Sequence, residues 1–141
     1  MPEENAFELR VDTGAVTVPI YDSNDGELLG EFKFNPNDMD IVKRYEQVAD
    51  ALNKISVPED AGNEALFAVS DEMKKQLDFL LNYPVSAGIF AKCNPLTLTA
   101  NGDFYIENVI EGIGNLIEKT MKVRLDKKME KVRRATEKYN K

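Results

Sequence analysis

Between Asp103 and Lys141 the apolar residues keep a single helical beat, and this constrains the chain more than any other feature. Ile106, Val109, Ile110, Ile113, Leu116, Ile117, Met121, Leu125, Met129, Val132 and Tyr139 recur on one helical face, three, four or seven residues from another member of the set, with no proline between them. An unbroken helix over this stretch is roughly 55 Å long, more than the diameter of a domain of this size, so part of it must project from the body. Asp103 is its expected N-cap. Gly112 and Gly114 fall inside it, each costing about 1 kcal/mol relative to Ala. Their presence predicts either close approach of another helix between Ile110 and Leu116 or a kink there.

Charge divides the chain at the same place. The net charge is −7, yet from Lys122 to Lys141 nine Lys and Arg stand against three acidic residues, a net of +6 that leaves −13 for residues 1–121. An acidic body (1–121) carrying a basic helical arm (122–141) is therefore expected. The arm's candidate partner-binding residues are Met121, Leu125, Met129 and Val132 as a narrow apolar stripe, flanked by Lys127, Lys128, Lys131, Arg133 and Arg134. The same stripe also suits coiled-coil association, so a homo-oligomer is expected. A simple solvated face, favoured by the helix macrodipole, accounts for the basic residues alone.

The 141 residues suit one domain. Apolar residues make up 43% and charged residues 30%, the balance of a folded protein rather than a disordered one. No His is present, which removes the usual neutral-pH general base, the usual zinc ligand and every triad built on imidazole. There is no phosphate loop, no G-x-S-x-G and no paired Cys, so neither an enzyme nor a bound cofactor or metal is expected. Asp22-Ser23-Asn24-Asp25-Gly26 has the texture of a calcium loop, but its Gly is fifth where such a loop needs it sixth. Cys93 cannot form an internal disulfide, and next to Lys92 it reads as a small, partly buried residue. The acidic start from Met1 lacks an apolar stretch, and no run suits a membrane span. A cytoplasmic protein is expected.

Phe7, Leu9 and Val11 alternate with polar residues, as do Val16, Val18 and Ile20, so a sheet is expected to begin with both runs. Pro19 confines the second run to an edge. The turn at Ser23–Gly26, followed by Gly30, Phe32 and Phe34, predicts a hairpin over 17–34. Asn37 or Asp38 then caps a helix running to Ile55, whose apolar face is Ile41, Val42, Tyr45, Val48, Ala49 and Leu52. A helical turn is expected at Pro58-Glu59-Asp60. A second helix covers 64–82 and joins the first on one face of the sheet. A short helix follows within 85–92, and Leu96–Thr99 forms a short strand or extended loop. The fold class is α+β: a small antiparallel hairpin sheet on a helical bundle, with a long C-terminal helix.

The layout "GEFKFNPNDMDIVKRYEQVADAL", "FAKCNPLTL" and a basic helix ending "MEKVRRATEKYNK" resembles the small tail assembly proteins of long-tailed bacteriophages of Firmicutes. The resemblance is of layout and texture over most of the chain. It implies a chaperone that self-associates, binds the long helical tape-measure protein and presents it to tail-tube subunits. Two other roles suit the residues: an inhibitor or adaptor of a host or defence protein, and nucleic-acid binding through the basic helix. The second is disfavoured by the −13 body, which a polyanion repels, and by Tyr139 being the arm's one aromatic residue.

Overall fold

The computed structural model describes residues 7–54, 60 and 62–139. It contains strands β1 (Val16–Tyr21) and β2 (Leu28–Phe34) and helices α1 (Ile41–Asn53), α2 (Asn63–Leu81), α3 (Ser86–Ile89) and α4 (Tyr105–Tyr139). The α+β class holds, with the sheet reduced to one antiparallel hairpin. Ile55 and the turn expected at Pro58-Glu59 lie outside the described residues, as do the side chains of Leu52 and Tyr139.

In the hairpin Val18 pairs with Phe32 and Pro19 with Glu31. Alternation turns Val16, Val18 and Ile20 of β1 and Phe32 and Phe34 of β2 inward. Both phenylalanines enter one core with Ile41, Val48, Leu77, Leu80, Leu81, Val85, Ile89, Tyr105 and Ile113. The arrangement around that core differs from two helices laid on the sheet. α1 packs on α2, and the backbone of β2 approaches α3 instead. That approach is possible because glycine faces glycine. A Cβ on Gly30 would strike the Gly88 carbonyl oxygen, and a Cβ on Gly88 would strike the Glu31 carbonyl oxygen.

Polar side chains hold the junctions. The Ser86 N–H and Oγ donate to the two carboxylate oxygens of Asp78 at 2.8 and 2.9 Å, fixing the start of α3 to α2. Arg44 donates through Nε to the Leu80 carbonyl at 2.9 Å, and its Nη2 meets Asp38 Oδ2 at 2.5 Å. The guanidinium holds the Asp38 carboxyl below its ordinary range. Tyr105 donates its hydroxyl to the Ile89 carbonyl at 2.9 Å, tying α4 to α3.

Several expectations are corrected. α1 begins at Ile41, because Asn35 and Asp38 each close a turn two residues on, to the N–H groups of Asn37 and Asp40, which keeps the backbone out of the helix. Asn37 and Asp38 therefore precede the cap. Tyr45 and Val42, expected inward, stand exposed. Residues 8–15 form no strand. The Asn35 amide donates to the Thr13 carbonyl at 2.5 Å and Arg124 Nη1 to the Gly14 carbonyl at 3.3 Å, and these bonds draw the chain away from the free edge of β1. The run at Leu96–Thr99 makes only an isolated bridge, Leu98 to Phe104, because turns at Asn94 and Asn101 bend it back. α4 starts after Phe104, whose N–H is accepted by Glu107 Oε1 at 3.0 Å, half of a capping box that displaces Asp103 from the cap. α4 is unbroken through Gly112 and Gly114, and no other part of the described chain comes within 4 Å of a Cβ built at either.

Candidate functional site

α4 is docked on the body over its first half. Tyr105, Ile106 and Ile113 are buried, and Val109, Ile110, Leu116 and Ile117 lie half-buried against the core. Beyond Ile117 the helix loses that support. Met121 is half-buried, and 122–129 are exposed. Arg124 ties this part of the helix to the body: it reaches the Gly14 carbonyl and, with the Asn37 amide presenting its oxygen, donates from Nε to it at 3.2 Å.

The sequence-predicted residues sit as follows. Leu125, Met129 and Val132 are 61%, 58% and 46% exposed. Lys127, Lys128, Lys131, Arg133 and Arg134 are all exposed. The helix brings the apolar ones onto one face, since Ile110, Gly114, Ile117, Met121, Leu125 and Met129 follow at steps of three or four, with Val132 one turn on. Arg124, Lys127, Lys131 and Arg134 follow at the same steps and form a basic ridge beside it. Glu130 is engaged by Arg133 Nη2 at 2.6 Å and by Arg134 Nε at 3.2 Å, so these two cations are partly offset on the arm itself.

What the sequence did not reveal is that this stripe begins in a cleft. A cavity of about 190 Å³ lies between Ile41, Val42 and Tyr45 of α1, Leu80 of α2, and Ile110, Ile113, Gly114 and Ile117 of α4. Its walls are almost entirely apolar. Gly114 forms part of the floor, and a side chain there would occupy the cleft. Exposed Val42 and Tyr45 form its outer lip. Glycine at 114 was the available signal, but a partner helix within the chain was the simpler inference from it. A continuous apolar surface thus runs from this cleft onto the arm, about 27 Å from Gly114 to Val132 at 1.5 Å per residue.

A larger cavity, about 750 Å³, lies on the other side of α4, between that helix, the outer part of β1 and the loop at Leu98–Asn101. Val18, Ile20, Leu29, Phe32, Val109 and Leu116 line it, with Cys93, Thr99, Asn101 and Asn108 at its polar parts. Comparison with known proteins gives no match: no family model, no curated protein and no solved structure matches the chain. Among the described residues no group of three or more Cys, Asp or Glu is placed to hold a metal ion, and no helix is long and apolar enough to cross a membrane. The arm thus presents an apolar strip edged by a basic ridge.

Proposed function

We propose that this protein is a non-enzymatic assembly chaperone that holds a helical partner along α4, with the partner's end seated in the cleft beside Gly114. The observation that carries the reading is the continuity of the cleft with the stripe of half-buried Met121 and exposed Leu125, Met129 and Val132. Such a surface, left in water, favours association. Gly114 supports it: a glycine there lowers helix stability by about 1 kcal/mol, and no contact within the described chain needs its small size. The resemblance in layout to phage tail assembly proteins supports a tape-measure protein as the partner, tail-tube subunits as the next component, and the cytoplasm of an infected cell as the place. Nucleic acid is a poorer occupant, because the ridge is bordered by apolar residues rather than aromatic stacking platforms and Glu130 sits among its cations.

The test is co-expression with a tape-measure protein of a long-tailed phage of Firmicutes. The wild-type chain should keep that protein soluble and co-purify with it at moderate salt, since apolar contacts dominate. Leu125→Glu with Met129→Glu should abolish co-purification and leave the circular dichroism of the body intact. Unchanged recovery by that variant, or complete release by moderate salt, overturns the proposal.

A further inference from the structure

Two features of this chain are unused by the reading above, and each has the shape the other lacks. The first is the segment 7–11. Phe7, Leu9 and Val11 are apolar and 94%, 83% and 66% exposed, while Glu8 and Arg10 alternate with them and pair with each other at 2.7 Å. This is the pattern of a strand with one face in a core and one in water. A segment so short is not a stable strand alone and needs a sheet edge to join.

The second feature is such an edge. β1 pairs with β2 on one side only. Pro19 has no N–H, so alternation in an antiparallel pair puts position 19, and with it Thr17, among those whose backbone groups point away from β2. The free edge therefore offers the Thr17 N–H and the carbonyls of Thr17 and Pro19, and both residues are exposed. Immediately beside this edge lies the 750 Å³ cavity, with Val18, Ile20, Val109 and Leu116 in its walls. A strand laid along β1 would project alternate side chains into that space.

The segment does not reach its own edge in this structure. Asn35, just beyond the end of β2, and Arg124 of α4 hold the Thr13 and Gly14 carbonyls, and residues 8–15 pair with neither strand. From that anchor, six residues in extended form span about 20 Å. We infer that residues 7–11 of one copy lie along the free edge of β1 in a second copy, setting Leu9 and Val11 into its cavity between hairpin and α4, and that the exchange is reciprocal. A second copy is the occupant because slot and insert are carried on one chain in equal number. A two-fold exchange uses both of each and closes, where one-way addition would continue into a chain of molecules. The missing donor at Pro19 leaves affinity to the buried side chains more than to a hydrogen-bond ladder.

This surface is separate from the α4 stripe, so the inference stands or falls apart from the proposed function. Sedimentation velocity of the full chain at micromolar concentration should show a dimer. Leu9→Arg with Val11→Arg should weaken dimerisation by roughly a hundredfold or more, two apolar side chains being lost from a buried site. Leu125→Glu with Met129→Glu should dimerise as the wild type does. A thiol placed by Leu9→Cys should, with diamide as the oxidant that takes up the two hydrogens, form a disulfide with Cys93 of the second copy, and Cys93→Ser should abolish that species. A wild-type chain that is monomeric into the high micromolar range overturns the inference. So does a dimer that survives the arginine substitutions, one lost only with the α4 stripe, or a cross-link that persists without Cys93.

Discussion

Substituting alanine for glycine at two helical positions, Gly88 in α3 and Gly114 in α4, should move stability in opposite directions. Helix propensity alone predicts a gain at both, about 0.5–1 kcal/mol each. At Gly114 nothing opposes it, because the added methyl meets no atom within 4 Å. At Gly88 the methyl would overlap the Glu31 carbonyl oxygen and lie 3.0 Å from its carbon. Both partners are backbone, so neither can rotate aside, and relief requires α3 to move off β2. That movement withdraws Ile89, fully buried, from the core that holds Phe32 and Phe34. Overfilling a tight contact costs about 1–3 kcal/mol and the void opened behind it adds to that, so a net loss of about 2–4 kcal/mol is expected. Urea denaturation followed by far-ultraviolet circular dichroism reads both, and the slopes should match the wild type. The reasoning is refuted if Gly88→Ala stays within about 0.5 kcal/mol of the wild type, the error of such a measurement, or if Gly114→Ala is destabilising.

Phe34→Ala should lose about 3–5 kcal/mol in the same assay, since the ring is fully buried; a loss under about 1 kcal/mol would deny its place in the core. Ser70→Ala should gain about 1 kcal/mol, because the Ser70 hydroxyl is buried in α2 with no hydrogen-bond partner among the described residues; a comparable loss would show that the hydroxyl is satisfied. Burial pushes the Tyr105 phenol up to about 12. The folded state thus holds that proton more tightly than the unfolded chain, so its contribution is complete below about pH 10 and is lost as pH rises from there to about 12. Denaturation at stepped alkaline pH should show that decline and Tyr105→Phe should flatten it; an unchanged slope contradicts the assignment. A chain ending at Asp126 should melt with the full-length protein, and one ending at Met121, without Arg124 on Gly14 and Asn37, should remain folded but about 1 kcal/mol weaker; unfolding of the shorter chain would place the arm within the core.

What could be read from residues was what depends on local spacing. The hairpin, α2 and the α4 stripe each announce themselves by a repeat of two or 3.6 carried through several residues, and the turn at Ser23–Gly26 fixes which strands meet. What could not be read depends on groups far apart in the chain. Phe7, Leu9 and Val11 have the same alternation as Val16, Val18 and Ile20, but their path is set by Asn35 and Arg124, 22 and 110 residues from their bonding partners. Gly112 and Gly114 suggested a close helix contact, yet the close contact is made by Gly30 and Gly88, which local spacing marks only as strand and short helix. Tyr45 and Val42 share a helical stripe with Ile41 and Val48, and only the placement of α4 decides that the outer part of that stripe becomes the lip of a cleft.

The two cavities also explain why both glycines lie where they do on α4. Gly112 borders the large cavity beside β1, and Gly114 floors the small cleft beside α1, with buried Ile113 reaching both. At about 100° per residue the two glycines point roughly 200° apart, so the spaces they open lie on opposite sides of the helix. An occupant of one does not block the other. A dimer formed through residues 7–11 would fill the β1 side and leave the stripe from Gly114 to Val132 facing outward on both copies, so self-association and partner binding need not compete. Substitution at the two glycines separates them: Gly112→Leu, whose Cβ would meet no described atom within 4 Å, should impair dimerisation alone, and Gly114→Leu should impair capture of the helical partner alone.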